Sequence, residues 1–367
     1  MYLEQDLVAI AKRENNQKRN YLVVNRLQGK HVRVSPKKTM ELFSSLGDQI
    51  YKKYHTERLL LIGFAETATA IGAALAVQLN SYYIQTTREN IPGAEYFYFS
   101  ESHSHATEQK LVKNELDRMI HLVDRILFIE DEVTTGNTIY KIIQLMKKQY
   151  GKQLNFSVAS LLNGMNREAE AFYEQEKIET LYLVKTNHDR YSEIAGKYLG
   201  NGSYHKEGTV YGLTVQNIDV NCGYENARRL VSGKSYEHAC EQLYTEIARQ
   251  VLFHGHESVL VLGTEEFMYP PFYVARRIEE NGLDVRFHAT TRSPIEVSLE
   301  TEYPLHERYE LLSLYEESRR TFVYDLKKYD KVLIITDAVK ASKQAVETLL
   351  HALDLAGNQE VYFINWR

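Results

Sequence analysis

Four short apolar runs set the fold class of this chain: Leu59–Ile62, Ile126–Ile129, Val259–Leu262 and Val332–Ile335. Each is too short for a core helix and holds no polar residue, which is the pattern of a strand buried on both faces of a sheet. Between the runs, apolar residues recur at helical spacing. Residues 36–54 follow Ser35 as N-cap and Pro36 in the first turn, with Met40, Phe43, Leu46 and Ile50 on one face. Residues 67–79 are rich in Ala and Leu and predict the next helix, followed by a strand at Tyr82–Thr86. After Arg125–Ile129 a helix is expected over 138–149, then strands at 155–161 and 179–184 around a helix at 166–176. The stretch from Arg88 to Gln109 shows no period. Strands alternating with helices predict an α/β fold with a largely parallel sheet.

The same order of landmarks returns in the second half. Ser232-Gly233-Lys234 opens a helix (235–252) as Ser35-Pro36-Lys37 does, and Val259–Gly263 ends in Gly as Leu59–Gly63 does. Glu266 lies three residues past its Gly, as Glu66 does. Ala289-Thr290-Thr291-Arg292 echoes Gln85-Thr86-Thr87-Arg88, and Lys331–Asp337 echoes Arg125–Asp131, all at near-equal spacing. Two related α/β domains are expected, 1–210 and 211–367, meeting near residues 205–230.

Composition narrows the class. The 367 residues carry 44 Lys and Arg against 49 Asp and Glu, a net charge of −5, which argues against a nucleic-acid coat protein. Hydrophobic content of 44% and charged content of 25% are those of a globular chain. No apolar run approaches the ~20 residues of a membrane helix, and Met1–Asp6 is acidic where a signal peptide is basic. Cys222 and Cys240 are too few for a disulfide framework or a four-thiolate zinc site. A cytoplasmic protein is expected. The 27 Tyr suit pockets and interfaces without naming a chemistry.

The most informative segment is the junction at 126–138. A buried strand ends in Glu130 and Asp131, and Glu132-Val133-Thr134-Thr135-Gly136-Asn137-Thr138 then leads into a helix. Backbone N–H groups at a helix N-terminus, with the hydroxyls of Thr134, Thr135 and Thr138, offer donors to a phosphate. Gly136 lets the backbone come close. Glu130 and Asp131 can accept from vicinal hydroxyls, or hold Mg²⁺ directly or through water. The spacing is neither that of a Walker A loop nor that of a dinucleotide fingerprint. The bland alternative is a solvated strand end with Thr135 or Asn137 capping a helix.

Four apolar residues, two acids and a Thr-Thr-Gly loop resemble the PRPP-binding signature of type I phosphoribosyltransferases. The chain departs from it at Glu132, where the family more often has an apolar residue. The resemblance implies that Glu130 and Asp131 hold the ribose hydroxyls and, with Mg²⁺, the metal. It implies that Val133 and residues 134–138 cradle the 5′-phosphate, that Gly63-Phe64-Ala65-Glu66-Thr67-Ala68 is the pyrophosphate loop, and that a mobile loop follows Arg88. Arg88 then neutralises charge on the departing pyrophosphate, or is a surface arginine at a strand end.

Further segments narrow the resemblance: Leu27-Gln28-Gly29-Lys30-His31, Glu101-Ser102-His103-Ser104-His105-Ala106, Phe267-Met268-Tyr269-Pro270-Pro271 and Thr291-Arg292-Ser293-Pro294. Together they resemble the two-part proteins of tellurite-resistance and stress-response gene clusters. In those, an orotate-phosphoribosyltransferase-like domain precedes a domain named for its Thr-Arg-Ser-Pro motif. Lys30 and His31 read either as a substrate-facing pair or as a basic turn. His103 and His105 read as a polar loop facing substrate, or as metal ligands lacking a third partner. In the second half Asp337 remains but Thr336 precedes it, and Ala338–Lys343 replaces the Thr-Thr-Gly loop. That half is expected to be a degenerate relative of the first. Tyr269, Arg292 and Asp337 then form a second ligand site or are remnants in the packing.

The leading expectation is a Mg²⁺-dependent phosphoribosyltransferase acting on PRPP and a nucleobase-like acceptor, or cleaving a nucleotide in the reverse sense. The alternative is a sensor that binds PRPP or a nucleotide without turnover. No helix-turn-helix with a basic recognition face is present, so no direct nucleic-acid binding is expected, nor is a membrane partner. A homodimer is the default oligomer.

Overall fold

The computed structural model describes residues 2–14, 16, 19–99, 109–151, 154–206 and 208–367. In chain order the first half runs α1 (Glu4–Leu7), β1 (Val8–Lys12), β2 (Tyr21–Asn25), α2 (Pro36–Tyr54), β3 (Leu59–Gly63), α3 (Thr69–Leu79), β4 (Tyr82–Gln85), β5 (Tyr96–Phe99), β6 (Gln109–Val112), α4 (Lys113–Met119), β7 (Arg125–Val133), α5 (Asn137–Tyr150), β8 (Asn155–Asn163), α6 (Arg167–Gln175) and β9 (Glu179–Lys185). The remainder runs α7 (Tyr191–Lys197), β10 (Ser203–His205), β11 (Thr214–Val220), β12 (Val231–Ser232), α8 (Gly233–Gln250), β13 (Ser258–Gly263), α9 (Tyr269–Glu280), β14 (Asp284–Ala289), β15 (Glu307–Leu312), β16 (Arg320–Tyr324), β17 (Lys331–Thr336), α10 (Lys343–Leu355) and β18 (Glu360–Trp366). The chain is α/β with parallel sheets, as its apolar runs require.

Two compact units divide it, and neither is a continuous stretch. The first unit takes Met40–Thr186 with Glu225–Ala239, and the second takes Met1–Thr39, Asn187–Tyr224 and Cys240–Arg367. The division falls inside α2 and α8.

In the first unit six strands lie in the order β12-β4-β3-β7-β8-β9. All neighbours are parallel except β12, which pairs antiparallel with the edge of β4 through Val231–Tyr83 and Ser232–Tyr82. Every residue of β3 is buried. The helical spacing of α2 puts Phe43, Leu46, Ile50 and Tyr54 on its inward face, all buried. Fully burying such a side chain contributes about 1.5–3 kcal/mol, so this stripe holds the helix down. α3 is buried over most of its length and stops at Asn80, whose left-handed φ of 48° closes the C-terminus.

The second unit has a five-stranded parallel sheet in the order β11-β18-β17-β13-β14. Read from the other edge, β14-β13-β17-β18-β11 places its strands as β4-β3-β7-β8-β9 does in the first. The last position is filled by β11, a strand that precedes the others in sequence. Further pairings repeat. Thr87 bridges antiparallel to Lys110 in β6, and Thr291 to Phe322 in β16. The hairpins β5–β6 and β15–β16 thus hold the same place in the two chain halves. The N-terminal hairpin β1–β2 belongs to the second unit, where Ala9, Ala11, Leu22 and Val24 share a core with Ile295, Tyr303, Phe322 and Tyr324.

Three expectations change. The stretch without a period, 88–109, contains β5 and the start of β6, because its aromatic residues pair across the hairpin: Tyr96 lies opposite Val112 and Phe99 opposite Gln109. α3 begins at Thr69 rather than 67, since the residues before it form a loop. β7 extends past Ile129 to Val133, because β8 is long enough to pair with it at Glu130–Ser160 and Glu132–Leu162.

Candidate functional site

Ligands of open parallel sheets bind beyond the carboxyl ends of the strands. In the first unit, those ends belong to β3, β4 and β7. The chain leaves β3 through Gly63–Ala68 before entering α3. Phe64 N donates to Ile129 O at 3.1 Å, which ties this loop to β7. Ala65 N donates to Thr86 Oγ1 at 2.8 Å, which ties it to the end of β4. Gln109 Nε2 donates to Ala65 O at 3.2 Å. Finally Thr67 Oγ1 donates to Asp131 Oδ1 at 2.7 Å. Loop and acid, 64 residues apart in sequence, are joined by that bond.

Because side chains alternate along a strand, the three acids of β7 divide between its faces. Glu130 and Glu132 line the cleft of the following loop, while Asp131 turns to Thr67. Burial pushes the Asp131 carboxyl up to about 6 from its ordinary 3.8. The Thr67 hydroxyl works against that, the charge of Glu132 adds to it, and backbone N–H groups of residues 131 and 132 oppose it.

The loop after β7 encloses a cleft of about 70 Å³ lined by Glu130, Glu132 and residues 133–139. Gly136 has a left-handed φ of 69° immediately before α5. A Cβ there would collide with the ring of Tyr173. The Tyr173 hydroxyl donates to Gly136 O at 2.7 Å, so a side chain from α6 fixes the loop from below. Burial and the nearby charge of Glu130 raise the phenol well above its usual range, and it stays a donor. Thr134 and Thr138 are partly buried and Thr135 and Asn137 exposed.

Gly63, Phe64, Ala65, Glu66, Thr67, Arg88, Glu130, Asp131 and the loop 133–138 therefore fall in one unit. Arg88 is partly buried just past β4. Lys30 and His31 belong to the second unit. There Lys30 is wholly buried and its ammonium donates to Glu265 O at 2.6 Å and Thr290 O at 2.8 Å. His103 and His105 lie outside the described residues.

The second unit repeats the strand-end framework with different side chains. Glu265 N donates to Thr290 Oγ1 at 3.0 Å, as Ala65 N does to Thr86. Thr290 N donates to Gly263 O at 3.0 Å, as Thr86 N does to Gly63 O at 2.9 Å. At the place of Ala65, however, stands the carboxylate of Glu265. It accepts from Arg292 Nε and from an Arg319 terminal nitrogen, both at 2.7 Å, and from the Ser313 hydroxyl. Arg292 also reaches Glu266 at 3.3 Å. Asp337 accepts from Tyr315 at 2.7 Å and Tyr224 at 3.0 Å. Tyr269 is buried at the start of α9. Tyr269, Arg292 and Asp337 thus lie at the carboxyl ends of one sheet, with a carboxylate of the chain already beside Arg292.

Sequence reading missed Tyr173, Glu132 and Glu265 as parts of these arrangements. Only a phase-accurate strand end reveals that Glu132 shares a face with Glu130. Tyr173 gave no signal beyond being apolar enough to face inward from a helix. Glu265 was legible by aligning the two halves at Gly63 and Gly263, where it replaces Ala65.

Residues 7–188 match a family model described as phosphoribosyl transferase, and residues 229–353 match one described as the TRSP domain, C-terminal to it. Among solved structures, the adenine phosphoribosyltransferase of Thermoanaerobacter pseudethanolicus is similar at 13% identity and a TM-score of 0.37, over 50% of this chain and 97% of that one. The Trypanosoma brucei enzyme, solved with AMP, pyrophosphate and ribose-5-phosphate, is similar at 18% identity and a TM-score of 0.35, over 49% and 76%. The Saccharomyces cerevisiae enzyme follows at 11% and 0.34, over 48% and 94%. No curated protein matches the chain.

Proposed function

Because the chain belongs to the phosphoribosyl transferase family and carries a C-terminal TRSP domain, we propose that it moves a phosphoribosyl group between pyrophosphate and a nucleobase-like acceptor. PRPP is the donor, or a nucleotide is cleaved by pyrophosphate in the reverse direction. The single observation that carries this reading is the Thr67–Asp131 hydrogen bond, which brings the loop 63–67 against the acid that precedes the loop 134–138. In the proposed arrangement the 5′-phosphate sits among the backbone N–H groups and hydroxyls of 134–138 at the N-terminus of α5. Glu130 and Asp131 accept from the ribose hydroxyls and fix the sugar. Loop 63–67 and Arg88 hold the pyrophosphate as the C1–O bond breaks. Charge placed where pyrophosphate charge develops, and a fixed ribose, supply the acceleration without a general base at C1.

Among the described residues no group of three His, Cys, Asp or Glu converges as a metal site. Carboxylates next to a phosphate cleft suit Mg²⁺, which takes one or two protein carboxylates and completes its shell from substrate phosphates and water. Glu130 and Asp131 are the residues that would hold it, and when bound it would offset charge on the pyrophosphate. The resemblance to proteins of tellurite-resistance and stress-response clusters supports placing the reaction in nucleotide metabolism. No described helix is long and apolar enough to cross a membrane.

The test is calorimetric titration of PRPP with Mg²⁺ into the protein and into Asp131→Asn, followed by pyrophosphate release with a panel of bases. Micromolar binding lost in the variant, with release for at least one base, is expected. Binding without release for any base makes the protein a sensor. No binding of PRPP, while nucleotides bind, removes the forward transfer.

A further inference from the structure

Loop 63–67 is tied to its own sheet at Ile129 and Asp131 of β7 and at Thr86, just past β4. One further tie comes from outside that sheet. Gln109, the first residue of β6, donates from Nε2 to Ala65 O at 3.2 Å. The hairpin that carries Gln109 also packs on the loop, the rings of Phe99 and Phe64 lying edge to face at 5.8 Å and 78°. Hydrogen bonds of 2.8 and 3.0 Å between Thr87 and Lys110 fasten the same hairpin to the end of β4.

Two observations give Gln109 a role beyond packing. Its Oε1 is buried and has no hydrogen-bond partner among the described residues, while the Ala65 carbonyl it holds belongs to a residue only 5% exposed. An apolar side chain of the same length would leave one buried acceptor unpaired, Ala65 O. Glutamine also leaves one, its own Oε1. The two choices are therefore close in stability, and they differ in whether the Ala65 carbonyl is held. A peptide group is planar and rigid, so holding its carbonyl sets the orientation of the whole group. The second unit supplies the other observation. There the corresponding carbonyl, Glu265 O, also accepts from a side chain, the ammonium of Lys30 at 2.6 Å. Thr291 bridges to Phe322 as Thr87 does to Lys110, so Thr321 stands at the register of Gln109. The same loop position is clamped in both units, by unrelated donors.

We infer that Gln109 is a positioning residue for pyrophosphate: it holds the middle of loop 63–67 in the shape that receives the diphosphate, and plays no part at the 5′-phosphate. The assignment rests on the phosphoribosyl transfer proposed above, in which that loop and Arg88 hold the pyrophosphate. A loop ordered before its ligand arrives avoids the cost of ordering on binding, so loss of the clamp is read as loss of pyrophosphate affinity.

The experiment compares the full chain with Gln109→Met, which keeps the length of the side chain and removes both polar atoms. Each is titrated calorimetrically with pyrophosphate and Mg²⁺, and separately with ribose 5-phosphate. Pyrophosphate is expected to bind about tenfold more weakly to the variant. Ribose 5-phosphate, whose phosphate is placed at 134–138, should bind within about twofold, and the melting temperature should move by no more than about 2 °C. Amide hydrogen exchange should quicken over residues 63–68 and stay unchanged in β3 and β7. Unchanged pyrophosphate affinity overturns the assignment. Equal weakening of both ligands, or a large fall in melting temperature, also overturns it, since Gln109 then serves the fold as a whole. If the wild-type chain binds neither pyrophosphate nor PRPP, the phosphoribosyl-transfer reading itself fails and the assignment falls with it.

Discussion

Asp131 combines a functional demand with a structural cost. Its carboxyl titrates at about 6, so it is largely ionised near neutral pH and protonated below. Donor binding that needs the carboxylate should therefore weaken as pH falls from about 7 to about 5. Calorimetry across that range checks the sign. For stability the sign is opposite. The folded protein holds this proton more tightly than the unfolded chain, whose Asp titrates near 3.8. This contribution is fully present below about pH 4 and is lost as pH rises to about 6. Asp131→Asn removes the cost of the buried charge. It should stabilise the protein by about 1–2 kcal/mol near pH 7.5, seen as a higher melting temperature, while PRPP binding is lost. Lys30 shows the reverse economy at the same scale. Its ammonium serves two carbonyls in the second unit, and Lys30→Met leaves both unsatisfied. A loss of about 2–4 kcal/mol in denaturant unfolding is expected. From sequence, Lys30 was an open choice between substrate and turn, because nothing local announces that Glu265 and Thr290 will supply acceptors.

At the scale of elements, the loop before α5 depends on α6. Asn166 caps α6 by accepting from Ala169 N at 2.9 Å, and α6 carries the Tyr173 that holds Gly136 O. Asn166→Ala should cost about 1 kcal/mol of stability. Tyr173→Phe removes the loop's anchor without altering the shape of the core. It should cost about 1 kcal/mol and raise KM for the phosphoribosyl donor several-fold, with kcat changed less. Steady-state kinetics with varied donor separates the two. The strand and helix of this junction were legible because apolar runs and helical spacing are local properties. That β7 reaches Val133 was not, since its length is set by the partner β8.

For the whole molecule, the chain's two halves do not correspond to its two units. The β4 edge of the first unit is paired by β12, with Gln85 N also donating to Ala227 O at 2.8 Å. The β14 edge of the second unit is paired by Val34, which exchanges hydrogen bonds of 3.0 and 2.9 Å with Phe287. One edge of each sheet is thus covered by a segment from the other half of the sequence. A fragment ending at residue 210 lacks β12 and exposes the β4 edge, and a fragment starting at 211 lacks the hairpin β1–β2, Lys30 and Val34. Neither fragment alone should show a cooperative unfolding transition by calorimetry, whereas the full chain should.

Local physics in the sequence determined the α/β class, the recurrence of the strand–helix order and the acid pair with the Thr-Thr-Gly loop that follows it. Strand burial, helix periodicity and loop chemistry are each written within a few consecutive residues. Tertiary structure alone decided which unit Lys30 serves, that Asp131 meets Thr67 while Glu132 joins Glu130, and that Glu265 fills the place beside Arg292. It also decided that each sheet takes an edge from the opposite half. These outcomes are pairings between residues distant in sequence. Their free energy comes from satisfying buried polar groups and sheet edges, whose partners no local pattern specifies.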